Sequence, residues 1–215
     1  EQFVFSENPF PAIVGGLGSG KSMAGTTRGT IKLLSDPGIN VGYYMPTYDL
    51  IRLRALPGFE EVLTKIGLPF KVNRSEYTIS VEGVGSIILR SYERPERIIA
   101  YETAHSIADE LDTLDKDKAA FVWRKIVERN RQACNGPNTV GNVTTPDQGY
   151  NGFTYEKWVK KQQPGYELIK APTYSNPFLP DGYIDQIRAN YDPVLADLYI
   201  NGEFVSLSEN KVYHF

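Results

Sequence analysis

Residues 10–22 read FPAIVGGLGSGKS, an apolar run that ends in a glycine-rich loop with a Lys-Ser pair at its exit. Gly15, Gly20, Lys21 and Ser22 fit the spacing G-x-x-x-x-G-K-[ST]. The run before the loop reads as a short buried strand. Lys21 to Leu34 reads as a helix, with Met23, Thr27, Ile31 and Leu34 on one face. A strand, a glycine loop and a helix in that order predict a phosphate-binding loop. Its glycines let backbone N–H groups converge on phosphate oxygens, and the helix N-terminus adds partial positive charge. The predicted nucleotide-binding set is Gly15, Gly16, Gly18, Ser19, Gly20, Lys21 and Ser22. Lys21 would reach the β- and γ-phosphates, and the Ser22 hydroxyl would coordinate Mg²⁺. Leu17 places an apolar side chain in a loop built to hold charge.

Outward from this loop, strands and helices alternate. DPG at 36–38 stops the helix, and INVGYYMP (39–46) reads as a second apolar strand. Residues 48–67 read as a helix in two pieces broken at Pro57-Gly58. YTISV (77–81) and SIILRSY (86–92) read as a hairpin. AHSIADEL (104–111) is a strand that ends in acids, although His105 and Ser106 occupy positions usually apolar. Lys116 to Ala133 is an amphipathic helix whose stripe is Ala119, Val122, Trp123, Ile126 and Val127. TVGNVTTP (139–146) is a further strand. The alternation predicts an α/β fold with a mainly parallel sheet flanked by helices, and the glycine loop together with the acids at 109–110 makes the expected class a P-loop NTPase of the ASCE type. From about Pro172 the chain turns Pro/Asn-rich, with helical pieces at 181–190 and 193–200 and a hairpin-like end. The expected division is a core at 1–171 and a lid or linker at 172–215.

With 41% hydrophobic and 23% charged residues in 215, the composition is that of a globular chain with a sizeable core. The formal charge of −3 means that a polyanionic partner must be met by local basic patches. Cys134 is the single cysteine, too few for a disulfide or a cysteine metal site. With no bilayer-length apolar run and no signal-peptide pattern, the expected setting is soluble and intracellular. The missing initial Met suggests an excised fragment.

In SIADELD, Asp109 would hold Mg²⁺ beside the loop, and Glu110 would orient or deprotonate the attacking water. The Asp-Glu pair favours a hydrolase that couples ATP to motion, and the absence of N-K-x-D disfavours GTP. Thr145, in the TTP at 144–146, could contact the γ-phosphate and report its loss. Gln2 lies thirteen residues before Gly15, and its amide could read adenine by donating and accepting at once.

In this order, Gln2, GGLGSGKS, IADE and TTP resemble the ATPase domain of the large terminase subunit of tailed bacteriophages, over nearly the whole chain. The tail YSNPFLP…YIDQI…GEFV…VYHF is similar to the segment that leads from that motor towards a nuclease domain. The resemblance implies a double-stranded DNA packaging motor that works with a portal protein and a small terminase subunit. It implies a ring, usually of five subunits, on the procapsid in the host cytoplasm, and a monomer in isolation. It also implies a module without the cutting activity. Two departures stand out. Many members have Arg where this chain has Leu17, and an Arg-Gly finger where it has Ile99-Ala100. Arg97 and Arg94, in YERPERII, are the nearest substitutes, with Arg90 a further one. Candidate DNA contacts are Arg52, Arg54, Arg124, Lys125, Arg129, Arg131, Lys157, Lys160 and Lys161, suited to phosphate contact without base readout. Two other readings remain open: a fragment of a superfamily-2-like helicase, and a nucleotide-switched assembly factor that hydrolyses little.

Overall fold

Period-two alternation along the strands feeds two cores, one on each face of a single sheet. The computed structural model describes residues 1–207. Its strands are β1 (Phe10–Gly15), β2 (Asn40–Met45), β3 (Phe70–Asn73), β4 (Thr78–Val81), β5 (Gly85–Ser91), β6 (His105–Asp109), β7 (Thr139–Thr144) and β8 (Tyr166–Ala171). The helices are α1 (Gln2–Phe5), α2 (Lys21–Ser35), α3 (48–65), α4 (Lys116–Arg129), α5 (153–160), α6 (Tyr183–Asn190) and α7 (193–201). The eight strands form one sheet in the order β3-β4-β5-β2-β6-β7-β1-β8. Every neighbouring pair is parallel except β3–β4 and β4–β5. The fold is thus the α/β arrangement expected, a mostly parallel sheet with helices on both faces.

One core takes Ile13, Tyr43, Ile107 and Val143 from the strands and packs them against α2 and α3. The other takes Ala12, Tyr44, Ala108 and Val140 and packs them against α4 and α5. Arg28 secures the N-terminal segment. Fully buried, it donates to the carbonyls of Phe3, Val4 and Ser6, capping the end of α1, and to Thr139 Oγ1. His105 and Ser106 are tolerated inside β6 because each is satisfied, His105 Nδ1 by Thr139 Oγ1 and Ser106 Oγ by Asn130 Oδ1, both at 3.0 Å.

Several local expectations are corrected. The buried face of α2 is formed by Gly25, Thr26, Gly29, Thr30 and Leu33, while Met23 is 53% exposed. The helix approaches the sheet through its small residues, and a Cβ at Gly25 would lie 3.0 Å from the Tyr43 hydroxyl. No break occurs at Pro57-Gly58. α3 runs through as Tyr48–Leu50, a π-helical turn at Ile51–Ala55, and Leu56–Lys65. Pro57 has no N–H to give, and the widened turn just before it removes the register in which its ring would meet a carbonyl. α4 ends at Arg129, and Val127 is partly exposed rather than in the stripe. Strands β3 and β8 are additions to the elements read from the sequence. The predicted terminal hairpin has no strand over 202–207, and the remainder of it lies outside the described residues.

Candidate nucleotide-binding and hydrolysis site

The parallel register brings the chemistry to one edge of the sheet. Val14 pairs with Thr144 and Val143 with Asp109, so the glycine loop after β1, the TTP after β7 and the acids after β6 emerge together. β7 lies between the other two, which leaves the loop strand and the acid strand two spacings apart, about 10 Å. The long Lys21 side chain closes that gap. Its Nζ lies 3.4 Å from Glu110 Oε1, at a position where Lys21 is 6% exposed. Gly20 enters the helix at φ +87°, with open space where a Cβ would stand. Backbone conformation rather than crowding therefore calls for glycine there.

Asp109 is fully buried. Its Oδ2 accepts the Tyr43 hydroxyl at 2.6 Å, and its Oδ1 has no partner. Burial holds its carboxyl well above the usual carboxylate range. The Glu110 charge pushes the same way, while the Tyr43 hydroxyl, Lys21 and Ser22 pull it back. Ser22 is near enough to exert that pull, yet no hydrogen bond joins it to Oδ1. An orphaned carboxylate oxygen beside a hydroxyl is a donor set suited to Mg²⁺, which takes one or two protein oxygens and completes its shell with phosphate and water. No cluster of three His, Cys, Asp or Glu that could hold a metal by itself occurs among the described residues.

Glu110 adopts φ +57°, ψ +44°, a left-handed conformation that costs an ordinary residue about 1–2 kcal/mol. Its amide donates to the Val143 carbonyl at 2.6 Å, which anchors the turn to β7. Its Oε2 accepts the Thr145 N–H at 3.3 Å. Thr145 thus touches the acid through its backbone amide. Thr144 Oγ1 ties the same junction together, donating to the Thr145 carbonyl and accepting from the Asp112 amide. Asp147, held up to about 6 by burial and then by the Glu110 charge, and lowered by Lys21, completes the acidic side.

The 172–207 segment covers the outer side of the loop. Leu17 N–H donates to the Tyr199 carbonyl at 2.7 Å, and Thr173 Oγ1 donates to the Leu17 carbonyl at 2.8 Å. Asn176 Nδ2 donates to the Gly18 carbonyl at 2.7 Å. A Cβ on Gly16 would lie 2.5 Å from the carbonyl oxygens of Tyr199 and Ile200, so the two segments touch backbone to backbone.

Other predicted residues are not gathered here. Gln2 Nε2 donates to Glu167 Oε1, level with Pro11 at the far end of β1. That is four residues, about 13 Å, from the loop strand's end, and the amide is already engaged. Arg94 and Arg97 line a hollow of about 290 Å³ with Tyr48, Arg90 and Glu93, beyond the end of β5. β5 stands four strands from β1, about 19 Å away. Ile99 is 53% exposed, and Ala100 keeps a left-handed φ of +66°. Among the candidate DNA contacts, Arg52, Lys125, Arg129, Arg131, Lys160 and Lys161 are ion-paired. Tyr43 and Asp147 escaped the sequence reading. Tyr43 looks like one more apolar strand residue, and only the β2–β6 register brings its hydroxyl to Asp109.

The family described as terminase large subunit, T4likevirus-type, N-terminal, matches residues 12–214. The chain belongs to this family. Among solved structures it is similar to the large terminase of a thermophilic bacteriophage in complex with ADP, with a TM-score of 0.77 and 13% identity over 95% of this chain and 52% of that one. It is also similar to the large terminase ATPase domain of Thermus phage P74-26, with a TM-score of 0.67 and 17% identity over 94% and 90% of the two chains. The HK97 bacteriophage large terminase matches with a TM-score of 0.59 and 13% identity over 94% and 41%. The terminase chain spans about half the length of the thermophilic phage proteins that it matches. No curated protein matches it in sequence. No helix among the described residues is long and apolar enough to cross a membrane.

Proposed function

We propose that this terminase chain hydrolyses ATP and that the hydrolysis drives double-stranded viral DNA into a procapsid. The observation that carries the reading is the meeting of Lys21, Asp109 and Glu110 at the mouth of the glycine loop. Arriving phosphates compete with Glu110 for Lys21, which frees Oε1 to face a water molecule. The water oxygen forms a bond to the γ-phosphorus and gives its proton to Glu110. The bond from the γ-phosphorus to the bridging oxygen breaks, and its electron pair leaves with ADP. Mg²⁺ held by Ser22 and Asp109 would offset the charge on the β- and γ-phosphate oxygens. Thr145 N–H, bonded to Glu110 Oε2, holds the base in place and connects it to β7.

The segment 172–215 acts in this reading as a lid whose contacts with Leu17 and Gly18 carry loop movement outward. Arg94 and Arg97 lie too far from their own loop, so any part they play in hydrolysis is at a neighbouring subunit's site in a ring. The partners are double-stranded DNA, a portal protein and a small terminase subunit, met in the host cytoplasm. Glu110→Gln is expected to lower ATP turnover by at least about 10³-fold while ATP binding, followed by calorimetry, persists. Turnover within tenfold of wild type would remove Glu110 from the role of base.

A further inference from the structure

Leu17 brings no charge to the loop, and the structure places a guanidinium beside the loop from another element. Two hollows adjoin the loop. One, of about 240 Å³, runs along Gly18 to Met23, and the other, of about 300 Å³, reaches inward past Tyr43 to Asp109. Ser22, Met23 and Arg54 line both. Leu17 lines neither hollow, and its backbone is committed to Tyr199 and Thr173 on the tail.

Arg54 stands on the π-helical turn of α3, Ile51–Ala55. Such turns recur at functional sites. One extra residue in a turn offsets the helix by about 100°. That offset lets Leu56, Phe59 and Leu63 face the core while Arg54 faces the loop. Its neighbour Arg52 is held by Asp49 at 2.9 Å, whereas Arg54 has no ion pair or hydrogen bond among the described residues. A free guanidinium on the wall of a phosphate site is suited to bidentate contact with phosphate oxygens.

We infer that Arg54 is a catalytic residue that acts in cis, contacting the γ-phosphate oxygens of bound ATP and supplying the positive charge that position 17 lacks. The inference rests on the hydrolase reading above. As water adds to the γ-phosphorus and ADP departs with the bridging-oxygen electron pair, charge spreads over the equatorial oxygens, and the guanidinium stabilises it there.

The test compares binding of ADP with binding of ADP–aluminium fluoride, a mimic of the transferring phosphoryl group, in the presence of Mg²⁺. Wild type is expected to bind the mimic much more tightly than ADP. Arg54→Ala is expected to keep ADP affinity within about threefold, to lose at least about tenfold in affinity for the mimic, and to lose about 10²–10³ in kcat. Arg54→Lys is expected to recover part of both losses. An unchanged unfolding midpoint in Arg54→Ala confirms that the fold is intact, as befits an exposed side chain. Mixing Arg54→Ala with Glu110→Gln chains separates cis from trans. A cis residue gives no recovery of turnover, whereas recovery overturns the cis assignment. A mimic preference that survives in Arg54→Ala overturns the role of Arg54 and leaves the hydrolase reading standing. A wild type without any preference overturns both.

Discussion

At the scale of single residues, the site holds an acid that phosphate chemistry does not require. Asp112 Oδ1 accepts the Thr154 N–H at 3.1 Å, while its buried Oδ2 has no partner. Burial pushes this carboxyl up to about 7, against the pull of the Thr154 contacts. An unfolded Asp titrates near 3.9. Between about pH 4 and pH 7 the native state therefore keeps a proton that the unfolded state has lost, and stability falls as pH rises through that window. His105 works in the opposite direction. Burial, then the charges of Lys32 and Arg28, hold it down to about 4, so its contribution rises with pH between about 4 and 6.5. Asp112→Asn isolates the first slope. Its stability relative to wild type, from urea unfolding, is expected to be more favourable at pH 8 than at pH 5, by on the order of 1–3 kcal/mol. The same difference at both pH values would show that the carboxyl titrates alike in both states. Much of this residue-scale detail was hidden in the sequence for a physical reason. Lys21, Ser22, Asp109 and Glu110, which the structure brings to one edge of the sheet, are legible because the glycine loop fixes the place of the Lys-Ser pair and an apolar strand ends in the acids. Tyr43, Asp112 and Arg54 carry no such pattern, and only the register and a π-helical turn bring them to the site.

Elements were legible where packing follows large apolar side chains, and misread where it follows small ones. The stripe of α4 was found because Val122, Trp123 and Ile126 carry it. The face of α2 was inverted because Met23 and Ile31 outweigh glycines in any apolar pattern, although Gly25 and Gly29 allow the helix its close approach. A Cβ at Gly29 would lie 3.1 Å from the Phe59 ring. Gly29→Val is therefore expected to destabilise by about 1–3 kcal/mol, the usual result of overpacking. Met23→Ala is expected to stay within about 0.5 kcal/mol of wild type, as suits an exposed position. Chemical denaturation of both variants measures which face is core. A loss of about 2 kcal/mol or more in Met23→Ala, with Gly29→Val neutral, would restore the face read from the sequence. β3 and β8 were missed for related reasons, since both are edge strands whose half-exposed residues leave a weak period-two signal.

At the scale of the whole molecule, the last strand of the sheet ends at Ala171, and the segment that follows is laid over the glycine loop. An appendage would leave the loop's outer side to solvent. Here Leu17 and Gly18 are instead bonded to Tyr199, Thr173 and Asn176, and Gly16 touches the tail backbone. A nucleotide that orders the loop must then also favour the closed tail, and by linkage the closed tail must favour the nucleotide to the same degree. Thr173 is the narrowest point of that coupling, because its one hydroxyl lies within hydrogen-bonding distance of both the Leu17 and Tyr199 carbonyls. Thr173→Val keeps the side-chain shape and removes the donor. Losing one or two such bonds, at about 1 kcal/mol each, is expected to weaken ADP binding about 5–30-fold. It should also diminish the protection that ADP gives residues 176–192 against limited proteolysis. The sheet lies apart from this contact, so hydrogen exchange in β2 and β6 is expected to stay as in wild type. Unchanged ADP affinity together with unchanged protection would mean that the tail only rests on the loop.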